Sequence, residues 1–179
     1  MDNEDNLPEF GIKRENEERR DGGFAIVLDP ETQLYAVGKD DNDGFLRFFG
    51  GGVDEKEDMQ EGVLRELVEE SGLNDFLYIE NIGEAYAHFR NVHKNLNRFC
   101  KTTCFLVVLK SKNSIGAKME EHEKFSLVWV RSEDIIDNWK NKRDVENQPD
   151  HWFYFFKKAV KRAKELGYDT ITDIEDLTP

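Results

Sequence analysis

Glu66, Glu69 and Glu70 are the residues whose type and spacing could do chemistry in this chain of 179 residues. On a helix turning about 100° per residue they fall within one sector of roughly 100°, with Leu64, Leu67 and Val68 opposite. Like charges four positions apart destabilise a helix by a few tenths of a kcal/mol, so the sector calls for a cation or a basic neighbour. Mg²⁺ or Mn²⁺, which prefer oxygen ligands, would compensate. A solvated acidic face is the plain alternative. Against it stands the glycine run Gly50-Gly51-Gly52, because consecutive glycines bring backbone amides and carbonyls close to a bound phosphate or metal. Gly62 is a second cue, placed near the carboxylate sector where a larger side chain would crowd metals and substrate oxygens, at a cost of about 1 kcal/mol relative to Ala. Arg65 can ion-pair with Glu57 or Glu69 and hold the turn and helix in register.

These residues need a scaffold, and the hydrophobic pattern supplies one. Residues 23–28 (GFAIVL) and 33–39 (QLYAVGK) predict a hairpin around Asp29-Pro30-Glu31-Thr32. Residues 45–49 (FLRFF) predict a strand that the glycines stop. A helix follows over 58–71, closed by Gly72. Then come an extended segment 76–89, a basic polar loop 90–97 and strands at 99–109 and 125–131. Ser132-Glu133-Asp134 starts a helix, and Asp150 caps another that runs through Leu166 to Gly167 with Trp152, Phe153, Phe156, Val160 and Ala163 inside. Strands, helix, strands, helices: this order predicts a single α+β or layered α/β/α domain with a mixed sheet. Its boundaries are read as a polar arm at 1–20, either loose or an edge strand rather than core, the domain at 21–167 and an acidic tail at 168–179.

Composition narrows the partners. Lys plus Arg is 25 and Asp plus Glu 38, a formal charge of −13 that repels long nucleic acids and anionic membranes. At 38% hydrophobic and 12% aromatic residues the chain has material for a real core. The acidic first ten residues and the lack of an apolar run near 18 residues are read as a cytoplasmic protein. Cys100 and Cys104 on one strand would stand roughly 13 Å apart, beyond disulfide reach, and packed thiols are favoured over a metal pair even with His88 and His93 nearby.

Gly51, five residues, Glu57, seven residues, Arg65-Glu66-Leu67, one residue, Glu69-Glu70, one residue, Gly72-Leu73 resembles the signature of the Nudix hydrolases at every position. The resemblance implies an α/β/α sandwich and a divalent-metal enzyme that cleaves a pyrophosphate bond in a nucleoside diphosphate linked to another group. By the same resemblance Glu66, Glu69 and Glu70 are metal-binding carboxylates, the Gly50 carbonyl is a backbone ligand, and Gly51, Glu57, Arg65 and Gly72 are structural. Phe49 departs from the family's usual Pro, and Gly62 from its frequent Ala, which puts the path of the loop in question rather than the ligands.

In the family the general base often comes from a loop before a late strand, which here selects Glu123 first and Glu120 second, while Glu66 and Glu69 on the helix also count as catalytic carboxylates. Arg90, Lys94 and Arg98 form the densest basic stretch and are candidates for substrate binding, with a solvated loop as the alternative. The implied cofactor is Mg²⁺ or Mn²⁺ and the implied partner a small nucleotide, with no long nucleic acid and no membrane; a homodimer is allowed. A non-catalytic nucleotide-binding or regulatory module on the same fold is the rival function. The family's substrate-specific motifs are not matched, so a nucleoside triphosphate or related nucleotide stands as the default.

Overall fold

The computed structural model describes residues 6–142 and 150–177. Its strands are β1 (Glu9–Gly11), β2 (Glu18–Arg19), β3 (Gly22–Asp29), β4 (Leu34–Asp40), β5 (Leu46–Arg47), β6 (Phe49–Gly52), β7 (Phe76–Asn91), β8 (Leu96–Leu109) and β9 (Phe125–Val130). The helices are α1 (Met59–Ser71), α2 (Ser132–Lys142) and α3 (Asp150–Glu165). Every residue of β3 is buried, as for a strand covered on both faces, and its neighbours explain why. β3 runs parallel to β8 and antiparallel to β4 and β6, so the sheet is mixed. Phe24, Ile26 and Leu28 pack with α2 and α3 through Ile135, Trp139, Phe153 and Phe156, whereas Ala25 and Val27 pack with α1 through Val63 and Leu67. The alternation of one strand thus divides the core into two layers and makes an α/β/α sandwich.

β3 is shared between two partners. Gly22 to Ala25 pair with β6, and Val27 to Asp29 pair with β4. The glycines therefore do not stop a strand, as the sequence suggests, but are most of one: Gly50, Gly51 and Gly52 stand opposite Phe24, Gly23 and Gly22. Phe49, at the position where Pro is usual, is fully buried and pairs with Ala25, which a Pro could not do as fully because it has no N–H. α1 starts at Asp58, whose carboxylate accepts from the Glu61 N–H at 3.1 Å, and ends at Gly72 with φ 76°.

The hairpin of β7 and β8 is longer than the pattern predicts. Arg90 pairs with Asn97 and Phe89 with Arg98, so these two arginines stand on strands and only Lys94 lies in the turn. Within the polar arm, the described residues 6–20 include two short strands, the edge-strand reading of this segment. β1 lies parallel on β7 and β2 parallel on β8, and the His88 ring, 3% exposed, bridges them with Nε2 2.6 Å from Glu9 and Nδ1 2.9 Å from Glu17. At the other end Tyr35 donates to Asp169 at 2.6 Å and Leu177 is buried in the core, so residues past 167 also contribute packing. Among the described residues no helix is long and apolar enough to cross a membrane.

Candidate active site

Glu66 and Glu70 lie one turn apart on α1, on the side facing the glycine strand. Gly51 lets them come close: a Cβ there would stand 3.3 Å from the Glu66 carboxylate. Gly50 has φ 153°, and a Cβ would stand 2.2 Å from the carbonyl oxygen of Gly23, so no other residue fits. Its N–H donates to Glu70 Oε2 at 2.8 Å. The loop before β9 brings in Glu123, and carboxylate oxygens of Glu66, Glu70 and Glu123 all lie within 4.8 Å of one another. Glu123 is fixed in turn by the backbone N–H of Glu120, which donates to its Oε2 at 2.8 Å.

Arg65 shows how much of this charge the protein balances by itself. It donates to Glu57 through Nε at 2.9 Å and Nη2 at 3.1 Å, to Glu66 at 2.9 Å and to Glu69 at 3.2 Å. Both pairings open in the sequence are made, and Glu66 is added to them. Glu70 is not reached. It is 3% exposed, and burial pushes its carboxyl up to about 8; Arg47 and the Gly50 N–H oppose the rise, and Glu123 and Glu66 add to it. Glu66 also rises, chiefly by burial, with Arg65 holding it back. Three carboxylates together, the buried one without an ion-pair partner among the described residues, fit a hard divalent cation, which takes oxygen ligands and would balance their charge. Glu69 stands apart from the trio, half exposed and held on Arg65. Glu120 is outside the trio, 75% exposed with Oε2 3.4 Å from His122, but it borders the same cavity and its carboxylate, His122 and Glu123 form a second loose group.

The carboxylates open on a cavity of about 560 Å³. Gly50, Gly51 and Gly52 form its rim, and Arg98, Lys94, Arg20 and Arg47 line it with Phe24, Phe48, Phe89 and Trp152. Arg90 does not line it, because its guanidinium is bonded to Asn97 and Asn95 on the other side of the hairpin. The aromatic run 152–156 divides: Phe153, Phe155 and Phe156 are core, while Trp152 stacks on Phe45 at 5.9 Å and borders the cavity. Gly62 has a different role from the one its sector suggests. A Cβ there would meet Val53 at 2.7 Å and Glu57 at 3.1 Å, so it makes room for the loop, not for substrate. Cys100 borders the cavity, but burial pushes its thiol up to about 12, and Cys104 is sealed in the core.

Three lining residues escape sequence reasoning. Arg20 sits in a charged arm with nothing to mark it, Arg47 sits in an aromatic strand, and His151 sits in the first turn of α3, where burial lowers its pKa to about 4 and keeps it neutral. Alternation along β5 and β6 could have placed Arg47 on the side of Gly51 and Phe49 opposite to Phe48.

The α/β/α sandwich with its mixed sheet holds a site that gathers carboxylates beside a wall lined by basic side chains. The family model of the NUDIX domain matches residues 18–160, and the chain belongs to the Nudix hydrolase family. No curated protein matches the sequence. Solved structures with the same fold include the Bacillus subtilis pyrophosphohydrolase BsRppH (TM-score 0.57, 13% identity, covering 89% of this chain and 90% of that one). The NUDIX domain of Shewanella oneidensis NrtR, complexed with ADP ribose, aligns at TM-score 0.54 and 15% identity over 83% of this chain and 90% of its own. A MutT structure from work on the Aliivibrio salmonicida and Vibrio cholerae proteins aligns at 0.50 and 20% over 81% and 99%. At these identities the likeness is one of fold.

Proposed function

We propose that the chain hydrolyses a pyrophosphate bond in a nucleoside diphosphate linked to another moiety, with Mg²⁺ or Mn²⁺ as cofactor. The observation that carries this reading is the trio Glu66, Glu70 and Glu123 within 4.8 Å, its most buried member out of reach of Arg65. Family membership supports it, as does a fold shared with a pyrophosphohydrolase and with MutT. Glu66 and Glu70, with Glu69 and the Gly50 carbonyl from the family signature, would hold the metal. Bound there, a divalent cation acidifies water and offsets charge on the diphosphate oxygens.

The protein's own groups do the rest. The Gly50 N–H holds Glu70 in place and Arg65 holds Glu66. Glu123 takes the proton of the attacking water at its free oxygen, Oε1, while the Glu120 N–H fixes Oε2. Its closeness to Glu66 and Glu70 would also let it help hold a cation bound there. Arg98 and Lys94 present positive charge to the substrate from the cavity wall, and Trp152 offers a flat face to a base. Water attacks phosphorus directly and no covalent enzyme intermediate is required.

The test is a panel of nucleoside triphosphates and diphosphate-linked nucleotides with Mg²⁺ or Mn²⁺, scored by phosphate or monophosphate product with and without EDTA. Metal-dependent release from at least one supports the reading. Binding of nucleotide without product under every metal condition would assign the chain to the rival class, a nucleotide-binding module.

A further inference from the structure

We propose that the substrate carries a second anionic group, remote from its scissile diphosphate, and that Arg20, Arg98 and Lys94 bind it. This deepens the hydrolase reading and rests on it for the word substrate. Successive positions on a strand face opposite sides, and β6 separates two environments accordingly. A Cβ on Gly51 would press on Glu66, whereas a Cβ on Gly52 would stand 2.1 Å from Arg20 Nε. The Arg20 guanidinium therefore lies on the bare face of Gly52, on the side of the strand away from Glu66. Arg98 shares that other face. The pairing of Phe24 with Cys104 puts Cys104, and with it Thr102, Cys100 and Arg98 at alternate positions of β8, on the side of Phe24, opposite α1.

Among the described residues, one charge on this face is unpaired and another is met only by an exposed carboxylate. Arg20 makes no side-chain ion pair or hydrogen bond among the described residues, in a chain of net charge −13. Arg98 is 9% exposed, donates through Nη1 to the exposed Glu18 at 3.2 Å, and lines the cavity. Lys94 adds an ammonium from the hairpin turn. The trio and its cation account for the diphosphate on the α1 side. Cations held on the opposite side, around the same cavity, are left to recognise phosphate or another anion on the far half of the substrate.

The experiment titrates inorganic tripolyphosphate into the full chain in EDTA by calorimetry, so that no metal bridges the anion. The expected result is a single site, weakened at least tenfold in Arg20→Gln and in Arg98→Gln and weakening with salt. Arg98→Lys, which keeps the charge, retains most of the binding and guards against a fold lost in Arg98→Gln. A parallel assay compares diphosphate-linked dinucleotides with and without a ribose 2′-phosphate, the phosphorylated one having at least tenfold higher kcat/KM in the parent and losing that advantage in Arg20→Gln. No tripolyphosphate binding, or binding equal in parent and Gln variants, overturns the inference. Anion binding that needs both arginines in a chain that hydrolyses nothing would sink the hydrolase reading and leave the anion site standing.

Discussion

Replacing Glu70 by Gln separates the metal role of this residue from its cost to the metal-free fold. Below about pH 4.5 the carboxyl is protonated in both folded and unfolded chains and its burial is cheap. Above that, the unfolded chain releases the proton while the folded one keeps it until about pH 8, so the native state loses stability steadily across this window. From 4.5 to about 8, at about 1.36 kcal/mol per pH unit, the loss is at most about 5 kcal/mol. Gln ends that loss and keeps an acceptor for the Gly50 N–H, but its NH₂ group must be seated beside the Glu66 and Glu123 carboxylates, and a buried donor left without good geometry there costs about 1 to 3 kcal/mol. The metal-free variant should therefore be more stable than the parent at pH 8 by about 2 kcal/mol, or about 4 to 8 °C in Tm, and no more stable at pH 5. Saturating Mg²⁺ should reverse the order at pH 8, since the parent gains about 2.7 kcal/mol at a hundred times Kd and the variant little. Scanning calorimetry at both pH values, with EDTA or Mg²⁺, reads all four states. A variant that melts below the parent at pH 8 in EDTA, or an equal Mg²⁺ gain in both proteins, would refute the assignment.

Glu123→Gln should lower kcat by about 10² to 10⁴, the usual range for a general base, and Glu120→Gln should not; a Glu123→Gln enzyme within about threefold of the parent would move the base to α1. Arg98→Ala should raise KM more than it lowers kcat, whereas Arg90→Ala, outside the cavity, should leave both unchanged. Gly50→Ala should destabilise the fold by about 2 to 4 kcal/mol, because its Cβ meets the Gly23 carbonyl at 2.2 Å; a denaturation midpoint equal to the parent's would contradict the backbone geometry.

What could be read in the sequence is what local rules determine. α1 shows its caps, Asp58 and Gly72, its apolar stripe and its carboxylate sector within one stretch of chain, and the structure keeps all of these. The family signature spans the same stretch and therefore points to the same few residues. The relation of Glu69 to Glu70 was not legible, because both lie in the acidic sector and only the tertiary approach of Arg65 and Gly50 separates a paired, half-exposed carboxylate from a buried, unpaired one. Glycine chemistry misled for a similar reason. A run of three looks like a strand stop, but β3 offers Gly22 and Gly23 opposite it, and two glycine-rich segments pair closely where side chains would collide. Arg20 lay beyond reach altogether, since its place depends on the bare face of Gly52, a contact between chain segments that no periodicity encodes. α1 with Gly50 and Glu123 makes up the half of the site proposed to handle the reaction, and the half proposed to select the substrate is assembled by sheet pairing from β6, β8 and the residue that follows β2. Substrate identity should therefore follow Arg20 and Arg98 rather than any residue of α1, and exchanging those two side chains should alter which anion is accepted before it alters whether hydrolysis occurs.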